Sequence, residues 1–389
     1  MQKSNETIPN VPTLRFPKFS EEWVRYPFYE CVSIANGMVD PRNHNYQSLP
    51  HIGAANIEKE TGQLLDYNTA QEDGLISGKY LFDVDDVIYS KVRPYFAKAA
   101  LPGFIGLCSA DAYPLHPNKK IITPYFLLQS VIHPRFTKFT SSISKRTGMP
   151  KVNREDLSSY CFYLPSIDEQ LKINKMLSFI DERIKVQNKI ISKYESLIKG
   201  IRHFVFSSIN DGNQYPLGSF LEEYSEKNEA NDLQSVAVGK YGIRKREDIY
   251  SKELSADYSK NKVIRKDTLI IGMGSTQIDI GILVNDEKYC VSPAYTTYHI
   301  VGIDSFYLQE YLIELNPLLS IRYMITSARQ GKAVNKDDLM RHSLTIHGFD
   351  EQEQICKHFK LLYKRLQIEK EMLSALQRQK AFLLKSMFI

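Results

Sequence analysis

Val152-Asn153-Arg154-Glu155-Asp156-Leu157 precedes Asp168-Glu169-Gln170, and the pair returns as Val334-Asn335-Lys336-Asp337-Asp338-Leu339 and Asp350-Glu351-Gln352. Both motifs are displaced by 182 positions, from 152 to 334 and from 168 to 350. Cys108 answers Cys290 and Ala112-Tyr113 answers Ala294-Tyr295 at that displacement, while Tyr26-Pro27 answers Tyr215-Pro216 at a slightly larger one. Short matches in one order at a near-constant offset mark an internal repeat. The chain reads as two copies of one unit, roughly Phe19 to Ile209 and Tyr215 to Ile389, joined by the turn-rich Asn210-Asp211-Gly212-Asn213.

Downstream of Leu164-Pro165, and again of Gly348-Phe349, glycine and proline almost vanish, Gly200 excepted. Apolar residues there step by four and three through Ile173, Leu177, Ile180, Ile184, Gln187, Ile191, Tyr194, Ile198, Ile201 and Val205. The second copy runs through Ile355, Phe359, Leu362, Leu366, Glu369, Leu373, Leu376, Lys380, Leu383 and Met387. A period of 3.5 sustained this long predicts a coiled-coil seam rather than an ordinary amphipathic helix. The chain passes from the first helix through a globular domain into the second, so the two helices should run antiparallel. Each would form a rod of roughly 60 Å. Gln187 and Glu369 are equivalent polar seam positions, where an amide facing a carboxylate would set register.

Upstream of each helix, β-rich runs such as Val87-Ile88-Tyr89, Leu269-Ile270-Ile271 and Tyr295-Thr296-Thr297-Tyr298 alternate with glycine and proline, with helical patches such as Phe306 to Leu315. The expected fold class is α+β, with two globular domains separated by two long helices in an antiparallel coiled coil and a pseudo-twofold internal repeat. Its expected divisions are an N-terminal arm (1–18), a first globular domain (19–164), a first long helix (165–210), a second globular domain (211–347) and a second long helix (348–389).

The 389 residues, 43% of them hydrophobic, carry enough apolar material for two or three domains of ~150 residues, which excludes a disordered chain. A net charge of +5 favours phosphate partners only weakly, so the placement of the cations has to decide. Five widely spaced cysteines with no Cys-x-x-Cys pair suggest neither a disulfide framework nor a zinc site, which fits a reducing cytoplasm. No run has signal-peptide character or approaches the ~18 apolar residues of a membrane span, so no membrane partner is expected.

Ser144-Lys145-Arg146-Thr147-Gly148-Met149-Pro150-Lys151-Val152-Asn153-Arg154 carries four cations, with a glycine and a hydroxyl that let backbone amides approach phosphate. Ala328-Arg329-Gln330-Gly331-Lys332-Ala333-Val334-Asn335-Lys336 repeats the plan in the second copy. Arginine, lysine, asparagine and glutamine are the side chains that pair with base edges or reach phosphates. A charged loop is usually only a solvated surface, but its recurrence in both copies points to DNA. Two related heads on a rigid spacer also suit a double-stranded target with two separated half-sites.

Leu14-Arg15-Phe16-Pro17-Lys18-Phe19 with Trp23, the run Asp86-Val87-Ile88-Tyr89-Ser90-Lys91-Val92-Arg93-Pro94-Tyr95, and the doubled Val-Asn-x-x-Asp-Leu, strand, Asp-Glu-Gln, long-helix succession resemble the specificity subunit of type I restriction–modification enzymes. The resemblance covers nearly the whole chain. It implies a non-catalytic subunit whose two target-recognition domains read a bipartite, asymmetric double-stranded DNA target. It also implies that the paired helices dock two methyltransferase (modification) subunits, which restriction subunits then join. No cofactor is expected on this chain, S-adenosylmethionine belonging to the methyltransferase partner. The second copy departs from the pattern, with Lys266-Asp267-Thr268-Leu269-Ile270-Ile271-Gly272-Met273 in place of the Ser-Lys-x-Arg-Pro-Tyr run.

The expected DNA contacts in the first head are Lys91, Arg93 and Tyr95, at a strand end entering a rigid turn, with Lys145, Arg146, Thr147, Lys151 and Asn153 from the loop. Lys91 and Arg93 should share one face. In the second head they are Ser275, Thr276 and Gln277 with Arg329, Gln330, Lys332 and Asn335, and Arg244-Lys245-Arg246 is a weaker candidate. Catalytic alternatives lack their motifs. Ile271-Gly272-Met273-Gly274-Ser275-Thr276 lacks the third glycine of a dinucleotide loop and the Gly-Lys-Ser/Thr of a nucleotide loop, leaving turn glycines as the simpler reading. No Asn-Pro-Pro-aromatic or Asp-Pro-Pro-aromatic sequence is present, and the pair Cys356 and His358 is too few for zinc. A two-headed coiled-coil scaffold that binds only proteins is the alternative from another class.

Overall fold

A computed structural model describes residues 10–144, 150–207, 209, 212–239, 242–246, 257–327 and 331–389. The chain divides into a first unit of residues 1–188 with 371–389 and a second unit of residues 189–370. Each unit holds one globular head together with half of each long helix.

In chain order the first unit comprises β1 (Val24–Pro27), α1 (Phe28–Cys31), β2 (Val32–Ile34), β3 (His51–Ile52), β4 (Tyr80–Phe82), β5 (Val87–Ser90), β6 (Ala99–Ala100), β7 (Gly106–Cys108) and β8 (Ala112–Pro117). There follow α2 (Pro124–Ile132), α3 (Pro134–Ile143), α4 (Arg154–Ser158), β9 (Cys161–Leu164) and the long α5 (Ile167–Ser207), which continues into the second unit. A four-stranded antiparallel sheet has the order β2-β8-β5-β6, and a smaller sheet has the order β3-β7-β4. All four residues of the central β5 are buried. Its alternation sends Val87 and Tyr89 into the main core and Ile88 into a second core on the opposite face, as the two-residue period of a strand requires.

The second unit follows with β10 (Asn213–Pro216), β11 (Leu221–Tyr224), β12 (Val236–Gly239), β13 (Gly242–Lys245), β14 (Lys262–Ile264), β15 (Thr268–Met273), β16 (Ile278–Leu283), β17 (Tyr289–Val291) and β18 (Thr296–Ile300). It closes with α6 (Ser305–Tyr323), β19 (Met324–Ser327), β20 (Gly331–Val334), α7 (Lys336–Met340), β21 (Ser343–Ile346) and α8 (Phe349–Met387), whose last turns belong to the first unit. Its four-stranded sheet, β11-β18-β15-β16, repeats the order of the first. The flanking pairs repeat as well: Tyr26 faces Phe162 and Tyr215 faces Leu344. The internal repeat in the sequence is therefore a repeat of topology.

The helical patch expected over Phe306 to Leu315 extends to Tyr323, through Pro317. The corresponding proline of the first unit, Pro134, instead opens a new helix after the extended His133. On either side of Pro317 the helix is held from the side. Asn316 Nδ2 donates to Ile278 O at 3.0 Å, and Ser320 Oγ accepts from Ile278 N at 2.9 Å.

Every seam position expected from the periodicity is buried or half-buried. In the first unit Ile180 and Ile184 of α5 pack with Leu373, Leu376 and Leu383 of α8, so the start of one helix lies beside the end of the other and the two run antiparallel. Lys380 sits in this seam with its Nζ 2.7 Å from Asp181 Oδ1, and the other oxygen of Asp181 accepts from Tyr125 OH at 2.6 Å. In the second unit Arg202 Nε donates to Glu310 Oε2 at 2.9 Å, and Arg202 Nη2 to Tyr363 OH at 2.7 Å. Each long helix ends on a phenylalanine inserted into a head. Phe388 stacks on Phe126 at 4.7 Å in the first unit, and Phe206 on Tyr311 at 4.8 Å in the second. The arm before β1 clasps the first unit: Arg15 forms a bidentate pair with the buried Glu169, and Leu14 N donates to Ser386 O.

Candidate nucleic-acid interface

In both units the site grows from the end of the sheet's third strand. In the first, Ser90 leads into Lys91, Val92 and Arg93, and a 3-10 turn follows at Pro94–Phe96. Arg93 has φ +52 and Ala97 φ +44, left-handed conformations that break the strand alternation. Lys91 and Arg93 therefore do not share a face, contrary to the expectation. Lys91 is 8% exposed, with its ammonium 4.7 Å above the Tyr113 ring, whereas Arg93 and Tyr95 are exposed. Burial, joined by the fields of Lys151 and Arg154, pulls the Lys91 ammonium below its ordinary range.

The two stretches that the sequence singles out in this head are hydrogen-bonded to each other. Arg93 N donates to Pro150 O at 2.8 Å and Val152 N to Lys91 O at 2.9 Å, which sets the exposed Lys151 beside the exposed Arg93. Lys145, Arg146 and Thr147 lie outside the described residues. Arg154 turns inward. Its guanidinium donates to Ile34 O, Ala35 O and Asn36 Oδ1 and stacks 5.2 Å from the Tyr113 ring centre.

Asn153 and Asn335 each start a short helix. Asn153 Oδ1 accepts from Asp156 N at 2.7 Å while Asp156 Oδ2 accepts from Asn153 N at 3.0 Å, a capping box that starts α4. Asn335 caps α7 by accepting from Asp338 N at 3.3 Å, and its Nδ2 donates to Asp338 Oδ2 at 2.5 Å. The repeated Val-Asn-x-x-Asp-Leu is thus a helix-start signal, anchored in the first unit by the buried Val152 and Leu157.

In the second unit β15 ends at Gly272-Met273, and Gly274 follows. A Cβ on Gly272 would lie 2.2 Å from the Tyr295 ring, and one on Gly274 would lie 2.2 Å from Gln277 O, so both glycines serve close approaches rather than a nucleotide. The turn exposes Ser275 and Thr276, and Gln277 is half-buried. Lys332, on β20 of the basic hairpin, donates to Ser275 O at 2.5 Å. The structure thus brings together in the second head the same two stretches as in the first. Arg329 and Gln330 lie outside the described residues. Arg244 and Lys245 are exposed on β13.

Residues 22–196 match the family model described as type I restriction modification DNA specificity domain. The chain is 32% identical over 204 residues to the type I restriction enzyme EcoDI specificity subunit of Escherichia coli, a match covering 51% of this chain and 43% of that one. The chain thus spans less than half of that relative's length in the match. It is 23% identical over 333 residues to the putative type I restriction enzyme MjaX specificity subunit of Methanocaldococcus jannaschii, covering 78% of this chain and 77% of the other. In fold it is similar to the S subunit of the M. genitalium type I restriction-modification system, with a TM-score of 0.58 at 14% identity, covering 97% and 99% of the two chains. A chain from a structure of type I R-M system assembly and conformational transition is similar at a TM-score of 0.57 and 18% identity, covering 93% and 96%. Over residues 22–196 the chain is thus similar to the type I restriction modification DNA specificity domain, and over nearly its whole length its fold is similar to that of the solved S subunit.

Proposed function

We propose that the chain is the sequence-reading, non-catalytic subunit of a type I restriction–modification complex. Each head would read one part of a bipartite, asymmetric double-stranded DNA target and position two methyltransferase subunits, which restriction subunits join. One observation carries the reading: in each unit a basic glycine loop meets the segment that leaves the third strand of an identically ordered sheet. One such meeting is a surface feature, whereas two at matching places, with different side chains, suit two unlike half-sites.

The long helices support the docking of partner subunits. In the second unit they expose Leu197, Phe204, Phe349 and Leu361, with Phe204 at 76% and Phe349 at 80%. In the first unit they expose Phe179 and Phe382 at 62% and 61%. Exposed apolar side chains clustered on helices mark protein interfaces. Among the described residues no helix is long and apolar enough to cross a membrane.

Methyl transfer from labelled S-adenosylmethionine to duplex DNA tests the division of labour. The purified chain should transfer none, and adding modification subunits should restore methylation at one bipartite sequence. Transfer by the chain alone would sink the proposal.

A further inference from the structure

The repeat lets the two heads be compared position by position, and at one position they carry opposite charges. In the second unit Asp279 on β16 lies directly across from Gly272. In the first unit the residue at the matching place is Lys98, whose carbonyl accepts from Ser90 N and extends the pairing of β5 with β6. The Lys98 ammonium is satisfied, donating to Ala54 O at 2.6 Å. Asp279 has no such partner: among the described residues its carboxylate makes no hydrogen bond or ion pair, and burial alone raises its pKa.

The carboxylate is held against the base of the turn that exposes Ser275 and Thr276. Its Oδ1 lies 2.6 Å from where a Cβ on Gly274 would sit and 3.9 Å from the corresponding point on Gly239. Glycine at 274 therefore makes room for it. A half-buried, unpaired carboxylate is costly to keep, and on a surface meant for phosphates it also repels the ligand. Both costs are offset where a donor arrives with the ligand. DNA offers few: the backbone has none, and the major-groove edge presents the exocyclic amino groups of cytosine and adenine.

We propose that Asp279 is a specificity-determining residue of the second head, accepting a hydrogen bond from the exocyclic N4 amino group of a cytosine in the major groove. The inference rests on the DNA-reading function proposed above. A guanine or thymine at that place would turn a carbonyl oxygen towards the carboxylate, so the same group that recognises the correct base rejects the wrong ones. Lys98 at the matching place of the first head cannot make this choice, which contributes to the asymmetry of the target.

The test uses the chain assembled with its methyltransferase subunits, acting on a duplex library randomised across the target, with methylated products sequenced. Asp279→Ala should lose cytosine discrimination at a single position of one half-site by roughly tenfold to a hundredfold, with the other half-site unchanged. Asp279→Asn, of nearly the same shape, should shift that position towards adenine, the base that asparagine pairs with. Both variants should bind unrelated duplexes more tightly than the wild type. Unchanged preference at every position in two active variants would overturn the proposal. So would a loss spread over the whole half-site with a lowered melting temperature, since Asp279 would then support the fold. A wild-type complex with no sequence preference would overturn the DNA-specificity reading itself.

Discussion

Lys91 and Arg93 stand two residues apart in one basic run, yet their side chains have different surroundings. The left-handed backbone at Arg93 carries its guanidinium outward, while Lys91 packs over Tyr113. A phosphate can collect the first charge and not the second. Replacing Arg93 and Lys151 together by alanine should weaken DNA binding on cognate and unrelated duplexes alike and reduce the slope of log K against log salt by about two units. Lys91→Met, which keeps the length of the side chain, should leave that slope unchanged. Fluorescence anisotropy at several salt concentrations distinguishes the two, and a Lys91 variant with the shallower slope would place the contact on Lys91. The asparagines teach a related lesson: Asn153 and Asn335 match the chemistry of base readers, but their acceptor atoms are committed to helix starts.

At the scale of elements, the heads are tied to the long helices by buried polar groups and by inserted aromatics. Glu310 is fully buried and tolerable only because Arg202 and Tyr363 of the two long helices meet it. In the first head the tie passes through His133, the residue between α2 and α3, whose ring stacks 5.8 Å from Phe388 at the end of α8. Burial, with the nearby Arg135, holds the His133 imidazole down at about 4, against a backbone contact with Leu384 that raises it. The folded value lies below the ordinary 6.5, so the unfolded chain takes up the proton first as pH falls. This contribution is therefore fully present above pH 6.5 and is lost progressively between 6.5 and 4. Its size is on the order of 2 kcal/mol after allowance for partial solvent access. His133→Asn keeps an acceptor for the Arg135 amide and has no charge to gain. Urea unfolding of wild type and variant across that range should show the wild type losing more stability, and parallel losses would remove His133 from the account.

At the scale of the whole molecule, the function proposed for two heads requires a spacer of defined length. Inserting one matched heptad into both α5 and α8 preserves the seam and lengthens each helix by about 10 Å, which corresponds to about three base-pair steps. Methylation mapping should then find both half-sites unaltered in sequence with a longer gap between them, at reduced affinity because the heads must also keep phase around the duplex. An active double-insertion protein with an unchanged gap would show that the helices do not measure the DNA. Insertion into one helix alone should abolish specific modification by putting the seam out of register.

What the sequence determined by itself was whatever is written locally and periodically. The steps of four and three from Ile173 to Val205 name the seam because an α-helix returns every residue to its face at a known interval. The doubled Val-Asn-x-x-Asp-Leu marks the repeat and both helix starts because an asparagine cap is closed within four residues. Even Lys380, an apparent flaw in the seam, was correctly placed there by its phase alone. What only the tertiary structure decided was the state of individual polar groups. Whether a cation is free to meet phosphate depends on neighbours far away in the chain: Tyr113 for Lys91, and Ile34 and Ala35 for Arg154. Asp279 carries no signal in its own segment, because its position opposite Gly272 and its match to Lys98 exist only once the strands are paired in register. Burial and partnership are sums over the whole fold, and no local pattern of residues carries them.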